Sequence, residues 1–371
     1  MTNVKQSSKW ITDQKLEIRD IESLAIGTWI LGTGGGGNPY HSLLNMRELY
    51  KSGHRVNLIQ PEELDDEALV GVLSNMGAPL VGEERLADPQ FAMKPVLMME
   101  KYLGRPFEAL MALEIGGGNG LQPFLVASLT GQPVVDADQM GRAYPEAQMT
   151  SVAVNNLRCY PLTLADIRDN ETIIPKAESW RWMERISRKV CTEMGSIAST
   201  CKAPRTGREV KDFCILHTVS KAISIGNAVL NARAQNANPI QAILDMTGGK
   251  KLFKGKVVDV NRRTTEGFLR GSTRIKGLDE NADDEFLLHF QNEFSLGLKN
   301  DKPEVMTPDL ICVVDSLSGE GIGTDVIRYG QRVDVMALPA PEVFLTPAGL
   351  DAVGPRAFGF DCDYKSVFLK E

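Results

Sequence analysis

Only four histidines occur in the 371 residues, His41, His54, His217 and His289, and none is spaced H-x-H or H-x-x-x-H, which disfavours a histidine-rich zinc site. The six cysteines (Cys159, Cys191, Cys201, Cys214, Cys312 and Cys362) are scattered without a C-x-x-C pair, so reduced thiols are expected rather than a disulfide or metal framework. Blocks of lysine and arginine are missing too. With 41 basic against 48 acidic residues the net charge is −7, and the electrostatic footprint of a nucleic-acid binder is absent. No apolar run approaches the roughly 18 residues of a membrane span. The segment from Met1 to Lys15 lacks the charged-then-apolar layout of a signal peptide, so a cytoplasmic location is expected.

What is present suits an ordinary globular protein: 43% hydrophobic and 24% charged residues, with 34 glycines and 19 prolines. The length favours two domains. From residue 16 to 148, helical periodicity alternates with short apolar runs that close on Gly, Asn or Asp. The runs at 55–59, 69–74, 109–115 and 133–136 are predicted parallel strands, with helices over 39–52, 89–102, 123–130 and 142–154. Residues 155–176 lose periodicity and read as a polar connection. Beyond it, helices are expected over 180–193, 209–234 and 239–246, followed by strands at 256–263, 267–275, 286–298, 310–316 and 332–338, and a closing segment at 358–369. The predicted fold class is α/β: an N-terminal α/β domain with a mostly parallel sheet over residues 1–172, then a C-terminal α+β domain rich in strands over residues 173–371.

Three clusters could carry chemistry. Gly34, Gly35, Gly36 and Gly37 precede Asn38 and Pro39, a strong helix-start signal. Their backbone amides could converge on a phosphate or carboxylate. Tight helix-to-helix packing explains the same glycines, and no β-α-β unit surrounds them, which weakens a dinucleotide reading. A second run, Gly116, Gly117, Gly118 and Asn119, follows Glu114 at a predicted strand exit, where open α/β sheets bind ligands. The two glycine runs echo one another and could face a common ligand. The third cluster holds Asp136 and Asp138 after a β run, with Glu146 further on. Paired carboxylates can share a proton for acid/base work or hold a hard cation; helix capping and a surface ion pair with Arg142 explain them equally well. Weaker candidates are Ser74, a Cys201–His217 pairing, and Arg262, Arg263 and Arg270 on adjoining predicted strands.

Seven segments taken in order resemble one family: residues 31–39, 114–119, 134–149 (VVDADQMGRAYPEAQM), 255–271 (GKVVDVNRRTTEGFLRG), 290–294 (FQNEF), 308–315 and 353–360 (VGPRAFGF). Each is weak alone, but the order and spacing over about residues 20 to 368 are similar to the S-methyl thiohydantoin desulfurase-like family. The resemblance implies two desulfurase-like domains meeting near residues 170 to 178. It also implies a link to hydantoin metabolism, with a hydantoinase/oxoprolinase-type protein as a possible partner. The expected reaction is hydrolytic cleavage of the C–S bond of an S-methyl thiohydantoin, or action on a related small cyclic amide.

On that expectation Asp136 and Asp138 are the base/acid pair and Glu114 an orienting or third carboxylate. Asn119, Asn38 and Glu146 contact the substrate, while the amides of Gly34–Gly37, Gly117 and Gly118 anchor an anionic side chain. A divalent metal held by the acids could instead activate water. The alternatives are a non-catalytic ligand-binding or partner subunit of a hydantoinase/oxoprolinase-type enzyme and, third, an ATP-dependent enzyme acting on amide rings. A homo-oligomer is the base-rate expectation.

Overall fold

A computed structural model describes residues 14–77 and 88–368. Residues 1–13, on which the leader expectation mainly rests, and Leu369, the end of the closing segment, lie outside the described residues. Strand β1 (Gln14–Leu16) leads into α1 (Ile18–Leu31), whose start is fixed by a reciprocal cap in which Glu17 N–H donates to Asp20 at 2.8 Å. The first glycine run then joins α1 directly to α2 (Tyr40–Lys51), without a preceding strand. Next come β2 (Val56–Ile59), β3 (Leu69–Gly77), α3 (Pro89–Leu103), β4 (Ala109–Ala112), α4 (Gln122–Thr130), β5 (Val134–Val135) and β6 (Ala137–Asp138). All four predicted strands form. They run parallel in the order β2, β5, β4, β3, and their apolar residues are buried, as a sheet covered on both faces requires.

The helix expected over 142–154 does not form; only α5 (Ser151–Val154) is α-helical there. Tertiary demands override its periodicity. Gly141 is left-handed (φ +67°), the Asp138 carboxylate takes the Met140 and Gly141 amides, the Tyr144 amide goes to Glu114, and Pro145 has no N–H to give.

Residues 155–176 are not a bare connection, since they hold the hairpin of β7 (Leu162–Ala165) and β8 (Glu171–Ile174). Helix α6 (Trp180–Glu193) falls where periodicity placed it. Strand β9 (Ile197–Thr206), unforeseen in the sequence, returns between β3 and β7. The sheet order β1-β2-β5-β4-β3-β9-β7-β8 therefore has a parallel centre and antiparallel flanks, a mixed sheet rather than a mostly parallel one.

The helical stretch expected over 209–234 is interrupted. It becomes α7 (Gly207–Phe213), β10 (Ile215–Leu216) and α8 (Thr218–Ala234), because β10 pairs with β6 and His217 turns left-handed (φ +60°) to start α8. Helix α9 (Pro239–Thr247) opens on Asn238 and stops at left-handed Gly248, as expected. There follow β11 (Lys250–Thr265), β12 (Phe268–Gly277), β13 (Glu285–Gln291), β14 (Glu293–Lys299), β15 (Lys302–Met306), β16 (Leu310–Asp315), β17 (Arg332–Leu338) and α10 (Pro347–Val353). The strands make an antiparallel sheet ordered β15-β14-β13-β12-β11-β17-β16. The single apolar run at 286–298 is thus a hairpin, turned at Asn292 (φ +57°).

Helices α1 and α8 lie between the sheets. One apolar cluster joins Leu24 and Ile30 of α1, Ala222 and Ile225 of α8, Leu73 of the first sheet, and Val314 and Met336 of the second. The two helices meet backbone to backbone: a Cβ on Gly27 would overlap the Ala222 carbonyl, and one on Gly226 the Ser23 carbonyl. Among the described residues no helix is long and apolar enough to cross a membrane.

Candidate functional site

A cavity of about 230 Å³ opens beside the carboxyl ends of β3 and β4 and is closed from the C-terminal half by the β13–β14 turn. Its walls include Gly36, Gly37, Asn38 and His41 from the first glycine run and α2, Ser74 and Asn75 from β3, Glu114, Gly118 and Asn119 after β4, and Glu146. Its polar lining also includes Glu184 and Arg188 of α6, Lys202 of β9 and Glu293 of β14.

Glu114 is 6% exposed. Asn119 Nδ2 donates to its Oε1 at 2.5 Å and the Tyr144 amide to its Oε2 at 3.1 Å, so its carboxyl plane is fixed. The Asn119 Oδ1 in turn accepts the Asn75 amide at 2.8 Å, which makes Asn119 a positioning residue for Glu114. Burial, opposed by these hydrogen bonds and reinforced by Asp138, pushes the Glu114 carboxyl up to about 7. Glu293, 3% exposed, lines the same cavity. Burial and the nearby Glu114 push it well above the usual carboxylate range, and its Oε2 has no hydrogen-bond partner among the described residues. Gly35 has to be glycine because the Glu293 carboxylate fills the place of its Cβ. Two buried acids thus line one cavity, and both hold their protons above the usual carboxylate range, an arrangement suited to acid/base work.

Asp136 and Asp138 do not line this cavity. Asp136 is fully buried at the start of α8, where Oδ1 accepts the Val219 and Ser220 amides at 2.8 and 3.0 Å and Oδ2 accepts the Ser220 hydroxyl. It caps α8. Asp138, equally buried, accepts the amides of Ile115 at 2.8 Å, Met140 at 3.0 Å and Gly141 at 2.8 Å, and so pins the loop that carries Glu114. Burial pushes its carboxyl up to about 7 against those amides. The three acids expected to act together, Asp136, Asp138 and Glu114, therefore point to different places. Among the described residues no group of three or more His, Cys, Asp and Glu side chains is arranged to hold a metal ion. Removing the cap with Asp136→Ala strands buried amides and should lower stability by about 1–3 kcal/mol, measured by denaturant unfolding. Turnover per folded molecule should be unchanged; a normally stable but inactive variant would instead return Asp136 to the chemistry.

The two glycine runs do meet. Gly118 N–H donates to the Gly37 carbonyl at 2.7 Å and Asn119 N–H to the Gly36 carbonyl at 3.2 Å, so these amides bind the loops to each other. Gly36, Gly37, Asn38, Gly118 and Asn119 face the cavity, whereas Gly34, Gly35 and Gly117 are packed behind it. Glu146 also lines it, held by Gln291 Nε2 at 3.3 Å. Arg142 makes no surface ion pair: it is buried and staples the loop to Thr33 Oγ1 at 2.6 Å and the Asp309 carbonyl at 3.2 Å. Ser74 Oγ shares a hydrogen bond with Thr200 at 3.0 Å. Cys201 sits in the apolar core and His217 at the surface beside Glu62, so they form no pair. Arg262 is spent on the Thr324 and Ile327 carbonyls, both at 3.0 Å.

Sequence reading overlooked Glu184, Arg188, Lys202 and the role of Glu293. Glu293 sits within the FQNEF segment, and Lys202 is one of two cations, with Arg205, in a run of otherwise small and apolar or hydroxyl residues, IASTCKAPRT. Those were the available signals.

The raised Glu114 pKa has a consequence for stability. The folded protein holds this proton more tightly than the unfolded chain, so the contribution is fully present below the ordinary value of 4.5 and disappears as pH rises through about 7. Thermal melts should show stability falling from pH 5 to pH 7.5, at up to about 1.4 kcal/mol per pH unit from this group. Glu114→Gln should make that slope shallower, with Asp138 and Glu293 still contributing to it; an unchanged slope would contradict the assignment.

Two family models together match most of the chain. Residues 19–176 match the family model described as S-Me-THD-like, N-terminal domain, and residues 178–367 the one described as S-Me-THD-like, C-terminal domain. Among solved structures, the X-ray structure of a protein from Chromobacterium violaceum is 21% identical with a TM-score of 0.80. The match covers 95% of this chain and 100% of that one, a likeness of fold. No curated protein matches the chain.

Proposed function

Since the chain belongs to the S-Me-THD-like family, we propose that it is a hydrolytic desulfurase, which removes methanethiol from an S-methyl thiohydantoin or acts likewise on a related cyclic amide. The observation that supports this reading best is the pair of buried carboxyl groups, Glu114 and Glu293, that line one cavity, both pushed by burial above the usual carboxylate range. The family name itself points to an enzyme of this kind.

The chemistry divides between them. Ionised Glu114 takes a proton from water as the water oxygen bonds to the ring carbon that carries sulfur. Protonated Glu293 gives its proton to the adjacent ring nitrogen, so the C=N bond becomes C–N and a tetrahedral intermediate forms. On collapse the intermediate's hydroxyl proton returns to Glu293, the C–S bond breaks, and Glu114 passes its proton to the departing sulfur. Water's two protons end on nitrogen and sulfur, and both carboxyls regain their starting states. Asn119 and the Tyr144 amide hold Glu114 in place, and Asp138 holds the loop that presents it.

The test is release of free thiol from S-methyl thiohydantoin-5-propionate by purified protein. Thiol appearing together with the hydantoin product supports the reading. Folded protein that binds the compound without releasing thiol would favour the ligand-binding subunit instead.

A further inference from the structure

The cavity's chemistry is asymmetric in a way the hydrolytic step does not use. Lys202 is 5% exposed and lines the cavity, yet among the described residues no hydrogen bond or ion pair holds its Nζ. Successive residues of β9 face opposite sides of the sheet: Cys201 enters the apolar core and Lys202 the cavity. The acids that lie nearest in charge terms are Glu184 and Glu114, and both are committed elsewhere. Glu184 accepts Arg188 Nε at 2.5 Å and the Ala147 amide at 3.1 Å, while Glu114 accepts Asn119 and Tyr144. Arg188 is itself anchored by the Pro145 and Gly267 carbonyls at 3.1 and 3.3 Å, and stacks 4.2 Å over the Phe268 ring. A buried ammonium without a direct counter-ion costs stability, and among the described residues the charges of Glu184 and Glu114, acting without a hydrogen bond to Nζ, offset part of that cost.

We infer that Lys202 is the recognition group for an anionic substituent, so that the cavity selects cyclic amides carrying a side-chain carboxylate over neutral ones. This rests on the desulfurase reading of the cavity and adds the residue that reads the anionic substituent. An incoming carboxylate supplies the missing counter-charge in a water-poor site, where a charge-assisted hydrogen bond is strong. The glycine amides expected to serve as the anion anchor are in part used up between the loops, as Gly118 and Asn119 show. Burial lowers the Lys202 pKa, in keeping with an ammonium held in a water-poor site.

The experiment is calorimetric titration of wild type and Lys202→Met with hydantoin-5-propionate and with its side-chain carboxamide, alongside thermal melts of both proteins. Wild type should bind the carboxylate about 10- to 100-fold more tightly than the carboxamide. Lys202→Met should bind the two within about threefold of each other. The variant should also melt no lower than wild type without ligand, because it removes a buried uncompensated charge. A structural lysine would show the reverse, a lower melting temperature with the ligand preference kept. Equal binding of both compounds by wild type, a preference that survives in Lys202→Met, or no binding of either compound would overturn the proposal. Thiol release from an S-methyl thiohydantoin without a carboxylate is read separately: if it proceeds while the preference is absent, the desulfurase reading stands and only the role of Lys202 falls.

Discussion

Glu114→Gln and Glu293→Gln should each slow turnover of an S-methyl thiohydantoin by about 10²- to 10⁴-fold, the range associated with loss of a positioned acid or base. Both substitutions keep the size and shape of the side chain. The Glu114 site offers an amide one awkward contact, since Asn119 Nδ2 donates to Oε1 while Tyr144 N–H donates to Oε2. The amide oxygen can satisfy only one of them. Removing a charge that burial disfavours compensates in part, so the fold should survive. The activity of wild type should rise with pH through about 7 as Glu114 ionises. In Glu114→Gln the rising limb should vanish. Rates within threefold of wild type for both variants would remove this pair from the mechanism.

Gly226→Ala should be strongly destabilising although it lies outside the cavity. Its added methyl would meet the carbonyl, carbonyl carbon and Cα of Ser23, all rigid backbone of α1, so no side chain can swing aside. Opening the crossing would pull apart the apolar cluster that α1 and α8 share with both sheets. It would also shift Asn227 away from the Ser23 hydroxyl, now at 2.8 Å. A loss of about 3 kcal/mol is expected, near the upper end for overpacking, because the clash is with backbone. Gly27→Ala should behave alike, since it meets Ala222 across the same contact. Denaturant melts measure both. Near-wild-type stability for either would show that α1 and α8 can separate without cost, contrary to this packing.

What could be read from the sequence was set by how local its cause was. Helix α6 and strand β17 appear with their predicted bounds, because amphipathic or alternating patterns and local caps decide them. The four parallel strands were legible as short apolar runs. The failures share a physical origin: side chains from distant segments claim backbone groups. Asp138 and Glu114 undo the helix expected after residue 142, and Asp136 starts α8 from across the chain, where sequence alone shows an unbroken helical stretch. The same long-range hydrogen bonds account for the site. Two carboxylates two residues apart look like an acid/base pair in a sequence, yet each is spent on backbone amides. Glu114 and Glu293 are 179 positions apart, and only the approach of the β13–β14 turn to the glycine loops brings them to one cavity.

The central claim is that hydrolysis belongs to the cavity of Glu114 and Glu293 and not to the aspartates behind it. The most direct test is thiol release from S-methyl thiohydantoin-5-propionate by wild type, Glu114→Gln and Asp136→Ala, each normalised to its folded fraction. The account predicts thiol from wild type and Asp136→Ala at similar rates, and release at least about 100-fold slower from Glu114→Gln. An active Glu114→Gln beside an inactive, folded Asp136→Ala would contradict it.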